Sequence, residues 1–359
     1  MIIIFFFSFN KCTVTKGHGH RCSANLNTTR KAVYFPLLPS FILFSYRYIA
    51  AALNISAAAR RNSFLTGSRF VAIGGTFSVF ALDASCGRET ISVIVAEVTK
   101  AIISEPHDIA FPTVTREKLE EVARVTQARW DYPRACGFMD GKHIRIEKPE
   151  HSGSAYWNYK NFYSIVLLAV CDHDYRVLLY DVGSAGRAGD AAVYRSSWIK
   201  QFLDANDQVF PPTKDLGQVG PVQYHILVDG GFGQSLRFVR PYRDAEADTP
   251  EKRRFNEKHS SARRMIESTF GILARRFQIL MHPMQVIPST AGRIIKALLV
   301  LHNLLPRRQD FLQGVRRFAP DESTLHSVER TRTGSAAAAK AARERITLYY
   351  TQKYGPARE

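Results

Sequence analysis

The chain has few cysteines and few acidic residues for its length. Its five cysteines among 359 residues include no C-x-x-C pair, which argues against a disulfide framework and against a cysteine-ligated zinc site. Lys and Arg number 49 against 32 Asp and Glu, so the formal net charge is +17. Such an excess of positive charge favours a polyanionic partner, most often nucleic acid, although charge that serves solubility alone is the alternative.

The sequence also lacks a convincing membrane span. The first nine residues, MIIIFFFSF, are apolar but have no basic segment before them and no small-residue cleavage site after them. A second apolar zone, residues 32–59, is interrupted by Pro36, Pro39 and Arg47. We therefore expect no membrane association, with a signal anchor at residues 1–9 as the alternative. Residues 1–60 are interpreted as a nonstandard extension, with disorder left open.

Three further zones follow the extension. Residues 61–130 are predicted to be helical, because the apolar residues of Thr90–Ser104 recur at helical spacing. Residues 131–306 alternate between strand-like and helix-like patterns. Beyond them the chain becomes charged and then alanine-rich, so residues 307–359 are interpreted as a basic, loosely attached helical tail.

The zone of alternating patterns predicts an α/β domain, with an α+β layout as the alternative. Its predicted elements are a strand at Cys136–Ile146, a buried strand within Asn161–Cys171, a returning strand at Tyr175–Val182, a helix at Asp190–Asn206, a short strand at His225–Asp229 and a helix at Ser260–Leu280. The near-continuous apolar run of the second strand is typical of a strand that is covered on both faces.

Three acidic residues stand where side chains from separate elements of this layout can meet. Asp140 lies on the first strand, Asp229 at the end of the fourth and Glu267 on the last helix. Carboxylates are the hard oxygen ligands that hold two Mg²⁺ or Mn²⁺ ions in a phosphoryl-transfer nuclease. Taken singly, each has another interpretation: the two aspartates precede glycine, as turn residues do, and Glu267 can pair with Arg263 one helical turn earlier.

Six segments in the second half of the chain add a more specific signal. They read GFMDGKHIRI, NYKNFYSIVLLAV, DVGSAGRAGD, LVDGGF, FNEKHSSARRMIESTFGIL and LHNLL, in that order. With these motifs, residues 131–305 resemble the nuclease domain of the PIF/Harbinger superfamily of DNA transposases and of the nucleases derived from them. The resemblance implies a ribonuclease H-like fold with a mixed central sheet and flanking helices. It also implies that Asp140, Asp229 and Glu267 form a catalytic triad that binds two divalent cations, Mg²⁺ or Mn²⁺, and cuts DNA.

The resemblance extends to the N-terminal helices and to partners. Residues 61–104 resemble the helix-turn-helix of the family, with Phe80–Gly87 as an insertion that lengthens the link between its two helices. DNA as the substrate, a separate Myb-like DNA-binding partner and nuclear localisation are further implications, and homo-oligomer formation is left open. The main hypothesis is a metal-dependent DNA endonuclease or transposase. The alternative is a domesticated or decayed descendant that binds DNA or protein without cutting.

Four basic residues near the carboxylates are candidates for contacts with DNA. Lys142 lies on the same side of the first strand as the acidic residue there and can contact the cut strand as a point charge. His143 can position a phosphate or a water, or it is a strand residue satisfied by a neighbouring backbone group. Arg263 and Arg264 lie one turn before Glu267 and can bind a phosphate in bidentate fashion, with a charged solvent face as the alternative.

An aromatic group surrounds Lys160 between the first two predicted strands. It consists of Tyr156, Trp157, Tyr159 and Tyr163. Such residues can stack on flipped or single-stranded bases, or they can form an aromatic cap on the sheet. The sequence alone favours the cap.

Overall fold

The computed structural model of the chain describes residues 57–104, 106–233, 235–305 and 335–356. The α-helices of these ranges are α1 (Ala57–Ile73), α2 (Phe77–Asp83), α3 (Arg88–Ser104), α4 (His107–Ala110), α5 (Arg116–Trp130), α6 (Asp190–Ser196), α7 (Trp198–Ala205), α8 (Pro250–Arg276), α9 (Pro288–Leu304) and α10 (Ser335–Tyr354). The strands are β1 (Ala135–Arg145), β2 (Ser164–Cys171), β3 (Val177–Ala185), β4 (Lys214–Asp215), β5 (Pro221–Val222), β6 (His225–Leu227) and β7 (Phe238–Val239).

A five-stranded mixed sheet lies at the centre, in the order β3-β2-β1-β6-β7. Strands β1, β2 and β3 are antiparallel neighbours, whereas β6 runs parallel to β1 and β7 parallel to β6. Every residue of β2 is buried, as its apolar run predicts for a strand covered on both faces. The predicted α/β, ribonuclease H-like fold with a mixed sheet and flanking helices is confirmed.

Helices cover both faces of the sheet. Phe138 and Ile144 of β1 belong to a core that includes the buried faces of α8 and α9. Met139 belongs to the other core, together with Val193 of α6. Successive strand residues point to opposite faces, so Asp140 lies on the same face as Phe138, towards α8.

Helix α8 is longer than the helix predicted over residues 260–280. It begins at Pro250, where the Thr249 hydroxyl accepts a hydrogen bond from the backbone N–H of Lys252 at 3.3 Å. A threonine N-cap followed by proline is a strong helix start. The first half of α8 is mostly polar and gives no apolar repeat, although Phe255 and His259 are buried there. The helix ends at Arg276.

The single helix predicted over Asp190–Asn206 is wrong. The segment forms two helices, α6 and α7, because Ser197 adopts an extended conformation between them, with φ −76° and ψ 154°. The Ser197 hydroxyl accepts a hydrogen bond from the backbone N–H of Lys200 at 3.1 Å and thereby caps α7. Serine favours this cap over a helix interior.

The segment predicted as an insertion, Phe80–Gly87, is packed into the helical region. Its first residues complete α2, and Phe80 and Ala81 are buried. The ring of Phe80 contacts that of Phe70 on α1 edge to face, with centroids 5.3 Å apart. The link between α1 and α3 thus holds a short helix with its own buried face. Its effect on DNA docking remains a prediction.

The C-terminal tail is helical but is not loosely attached. Ala342, Ile346 and Tyr350 of α10 are buried in the same core as α8. Residues 306–334 lie outside the described residues, as do residues 1–56 of the predicted extension with their apolar start, and residues 57–60 begin α1. No helix in the described part of the chain is long and apolar enough to cross a membrane.

Candidate active site

Three aspartates converge beside the middle of β1 and the carboxyl end of β6. Phe138 pairs with Leu227 in the parallel register of these strands, so Asp140 and Asp229, each two residues further on, are brought side by side. Asp190 is the first residue of α6. One carboxylate oxygen from each aspartate lies within 4.8 Å of the others. We call Asp140, Asp190 and Asp229 the aspartate cluster.

Backbone hydrogen bonds orient two of these carboxylates. Asp140 Oδ1 accepts from the N–H of Gly141, and Asp229 Oδ1 accepts from the N–H of Gly231, each at 2.9 Å. The glycines that follow the aspartates therefore do form turn-like contacts, as the alternative interpretation expected. These contacts fix the side chains and leave the second oxygen of Asp229 available for a ligand.

Asp190 is held differently. Its Oδ1 is buried and has no hydrogen-bond partner among the described residues. A Cβ atom placed on Gly141 would lie only 2.6 Å from Cγ of Asp190, so a residue with a side chain at position 141 would displace the carboxylate. Gly141 thus permits the close approach of Asp190 to β1.

Glu267 lies beside the cluster, joined to it by Arg263. The Arg263 guanidinium donates to Asp140 Oδ2 at 3.1 Å and to Glu267 Oε1 at 2.5 Å. Glu267 is therefore on the same face of the sheet as Asp140, as we expected. It is absent from the group of oxygens within 4.8 Å, where Asp190 stands instead. The structure thus brings four carboxylates together, and the guanidinium of Arg263 lies between those of Asp140 and Glu267.

The crowding of negative charge changes the acidity of the cluster. Burial raises the pKa of Asp140 from 3.8 to about 7, with the charges of Asp229 and Asp190 adding to the effect and Arg263 opposing it. Burial and the charge of Asp229 raise the pKa of Asp190 to about 6. Burial alone would lower the pKa of Arg263, but the charges of Asp140, Glu267 and Asp229 raise it. The cluster therefore favours a cation in its midst.

The other basic candidates differ in position. Lys142 is half-buried, with its Nζ 5.8 Å from the centre of the Phe270 ring on α8. His143 Nδ1 is hydrogen-bonded to Ser164 Oγ at 2.9 Å. Burial, with the charges of Lys160 and Lys142, lowers the pKa of His143 to about 4, so the ring is neutral near pH 7. The partner of His143 is thus a side-chain hydroxyl and not a backbone group, and its contact with a phosphate or a water remains a prediction.

The two arginines of α8 also differ. Arg263 points into the carboxylates and pairs with two of them, and its contact with a DNA phosphate remains a prediction. Arg264 is exposed and takes part in neither of these contacts. The pairing of Arg263 with Glu267, expected as an ordinary surface pair, is half-buried, and it includes Asp140 as a third member.

Asp190 is the site residue that sequence reasoning missed. The signal was present, because Asp190 closes the motif DVGSAGRAGD and follows a glycine-rich turn at a helix start. A carboxylate at a helix N-terminus has an ordinary local explanation in the helix dipole, which concealed its second role. Only the packing of α6 against β1 shows that it reaches the other aspartates.

Comparison with known proteins identifies relatives of this domain. Residues 139–303 match the family model described as DDE superfamily endonuclease. This range contains all four carboxylates of the site. No solved structure matches the chain.

Three curated proteins are similar over a wider range. The ALP1-like protein of Arabidopsis thaliana is 24% identical over 263 residues, covering 72% of this chain and 62% of the relative. HARBI1 of Homo sapiens, which is named as a nuclease, is 27% identical over 235 residues, covering 64% and 63%. HARBI1 of Bos taurus is 25% identical over 241 residues, again covering 64% and 63%. The chain thus spans less than two thirds of the length of these relatives.

Proposed function

We propose that the chain is a divalent-metal-dependent DNA endonuclease, because residues 139–303 match the model of the DDE superfamily of endonucleases, in agreement with the motifs. The observation that carries the proposal is the convergence of Asp140, Asp190 and Asp229, from β1, α6 and the end of β6, with oxygens within 4.8 Å of one another. The reaction is hydrolysis of a phosphodiester bond. Strand transfer of the resulting 3′-hydroxyl to a target is the further step that a transposase would add.

The residues fit a hard divalent cation. Mg²⁺ and Mn²⁺ prefer carboxylate oxygens, and ligands on opposite sides of such an ion lie roughly 4 Å apart. The buried Oδ1 of Asp190, which has no partner among the described residues, is a donor that an ion would satisfy. Asp140, Asp190 and Asp229 would hold one ion, and Asp140 with Glu267 would hold the second, where the guanidinium of Arg263 now lies. When bound, such ions supply Lewis-acid activation of the attacking water and stabilisation of the leaving oxygen.

The residues of the chain define the other requirements of the reaction. Asp140 and Asp229 are fixed by backbone N–H groups, so little ordering is needed when the substrate arrives. The positive charge of Lys142, on the same strand as Asp140, opposes the repulsion between the carboxylates and the DNA phosphates. We propose DNA as the substrate on this ground and on the net charge of +17.

The remaining expectations from the resemblance stay part of the proposal. A separate Myb-like protein would help to bring the enzyme to its DNA site, and the place of action would be the nucleus, reached from the cytoplasm with the help of that partner. Homo-oligomer formation is left open. These properties concern the whole protein and are tested separately from cleavage.

Replacing Asp229 by asparagine tests the proposal. The variant should lose cleavage of a labelled duplex in Mn²⁺, because the neutral amide removes a charge that holds the cation. Its DNA binding should survive, since affinity comes mainly from Lys and Arg contacts with phosphates. Asp244→Asn is the matched control, because Asp244 is an exposed aspartate outside the cluster, and it should cut normally.

The unmutated protein provides the second arm of the test. Cleavage should require Mg²⁺ or Mn²⁺ and stop in EDTA. Undiminished cleavage by Asp229→Asn would refute the metal assignment. A protein that binds DNA but never cuts it, even with a Myb-like partner added, would favour the domesticated binding protein over the enzyme.

A further inference from the structure

The loop between β1 and β2 contains a rigid turn at residues 158–162. Asn158 is 2% exposed, and its Oδ1 accepts hydrogen bonds from the backbone N–H groups of Lys160 at 2.9 Å and Phe162 at 3.3 Å. Its Nδ2 donates to Ser164 Oγ at 2.9 Å. Asn161 adopts the left-handed conformation that closes the turn, with φ 61°. Because a buried side chain bonds the backbone at two points and the Ser164 hydroxyl at a third, the turn presents Tyr159 and Lys160 in a fixed position.

The aromatic residues of this loop divide into two kinds. Tyr156 and Tyr163 are partly buried against the core, and Trp157 lies edge to face on Tyr163 with centroids 4.9 Å apart. They form the cap on the sheet that the sequence favoured. Tyr159 differs, because it is 66% exposed. Because most of its surface is in water, the Tyr159 ring contributes less to core packing than Tyr156 and Tyr163 do.

Tyr159 is close to the aspartate cluster. Its ring contacts that of His143 edge to face, with centroids 5.5 Å apart. The pKa of the Tyr159 hydroxyl is raised by burial first and then by the charges of Asp190, Asp140 and Asp229. His143, which is bonded to Ser164, therefore supports the ring from one side and connects the turn to the strand that bears Asp140.

The surroundings of Tyr159 are basic. Lys160 is exposed, and its Nζ lies 5.4 Å from the centre of the Tyr159 ring. No carboxylate in the described part of the chain forms an ion pair with Lys160, which leaves its charge available. Arg145 stacks on the neighbouring Phe162, with Cζ 4.3 Å from the ring centre. Exposed aromatic rings among basic side chains are the arrangement by which proteins hold unpaired nucleic-acid strands.

We propose that the turn at residues 158–162 is a substrate-binding element, on which Tyr159 stacks against an unpaired base next to the cut phosphate and Lys160 contacts the backbone. The inference rests on the proposed function for the identity of the substrate as DNA. Stacking requires a base out of its pair, so the enzyme should prefer DNA that is open at this point. Tyr159 is thus a positioning residue that holds the strand over the carboxylates and takes no part in bond cleavage.

Binding measurements in EDTA test the inference without cleavage. Two labelled duplexes of one sequence are compared, one fully paired and one with a short mismatch bubble that contains 2-aminopurine. The unmutated protein should bind the bubble at least about fivefold more tightly and quench the fluorescent base, because a stacked base contributes about 1–3 kcal/mol. Tyr159→Ala should lose the preference and the quenching but keep its affinity for the paired duplex. Tyr159→Phe should retain both.

Two further variants separate stacking from charge and from fold. Lys160→Ala should weaken binding to both duplexes alike and reduce the slope of log affinity against log salt by about 1. Trp198→Ala removes another half-exposed ring, on α7, and should change nothing. Thermal unfolding of each variant checks that the substitution has not disrupted the fold.

The outcomes distinguish this inference from the proposed function. A bubble preference that persists in Tyr159→Ala would overturn the inference and leave the nuclease proposal standing. A Tyr159-dependent preference in a protein that never cuts would support the inference and refute the nuclease. Absence of any DNA binding would overturn both.

Discussion

Replacing Asp190 by asparagine should stabilise the metal-free protein and weaken its response to metal. Burial and the charge of Asp229 raise the pKa of Asp190 from 3.8 to about 6. When the pKa of an acid is higher in the folded state than in the unfolded state, the protein loses stability as the pH rises from the unfolded-state pKa to the folded-state pKa. Above the folded-state pKa, the ionised carboxylate lowers the free energy of unfolding by a constant amount, and below about pH 4 this destabilisation is absent.

The size of the effect follows from the shift. A rise from 3.8 to about 6 is roughly two pH units, or about 3 kcal/mol at about 1.4 kcal/mol per unit. Asp190 also begins α6, where a negative charge stabilises the helix by about 0.3–1 kcal/mol. The first effect is larger, so metal-free Asp190→Asn should be more stable than the unmutated protein at pH 8, by about 2 kcal/mol. At pH 4 the two should be nearly equal.

Chemical unfolding in EDTA at both pH values measures this difference. A second series at pH 8 adds Mn²⁺, which stabilises a protein by about 2.7 kcal/mol at a concentration one hundred times its Kd. The gain should be much smaller in Asp190→Asn, because one ligand charge is missing. The control is Glu117→Gln, which changes an exposed first-turn acid of α5 and should leave the Mn²⁺ effect intact.

Two results would refute the reasoning. The first is a metal-free Asp190→Asn protein that is less stable than the unmutated protein at pH 8, since the buried charge would then be satisfied in some other way. The second is an undiminished gain in Mn²⁺, since Asp190 would then not be a ligand.

Two further substitutions test the contacts around the cluster. Gly141→Ala should displace Asp190 and weaken Mn²⁺ binding in a calorimetric titration. The control is Gly271→Ala on α8, where an added Cβ meets nothing within 4 Å; it should bind Mn²⁺ normally and gain about 1 kcal/mol in unfolding free energy. Equal Mn²⁺ affinity in both variants would contradict the close approach of Asp190 to Gly141. Arg263→Gln should lower the stability of the metal-free protein by about 1–3 kcal/mol, because two carboxylates lose a charged donor, and should tighten Mn²⁺ binding. Arg264→Gln, on the exposed side of the same helix, should do neither, and an Arg263→Gln protein with unchanged Mn²⁺ affinity would show that the guanidinium does not compete with metal.

The sequence could predict the parts of the site that depend on strand order. Asp140 and Asp229 each belong to a segment with a strand pattern, and the parallel register of β1 and β6 places the two aspartates side by side. The helix with Glu267 was equally clear from its apolar spacing. Local pattern and motif order were sufficient to select Asp140, Asp229 and Glu267, because the element that carries each residue has its own sequence pattern.

The position of Asp190 could not be predicted in this way. It depends on the glycine at position 141, on a strand 49 residues earlier in the chain, which leaves room for the Asp190 carboxylate. A single glycine leaves no periodic signal. The same holds for Tyr159, whose exposure is decided by a buried asparagine one residue before it.

The sequence presented two alternatives for Glu267, a carboxylate of the metal site and an ion-pair partner of Arg263, and the contact between Arg263 and Glu267 is compatible with both. An arginine four residues before a glutamate on a helix has an ordinary explanation as an ion pair. In the folded chain Asp140 shares the same guanidinium, so the pair occupies the space between two carboxylates that a second cation would need. At the proposed two-cation site, a metal ion and Arg263 would therefore compete for the same oxygens. The ion pair that stabilises the metal-free site thus also sets how strongly a second cation must bind to displace it.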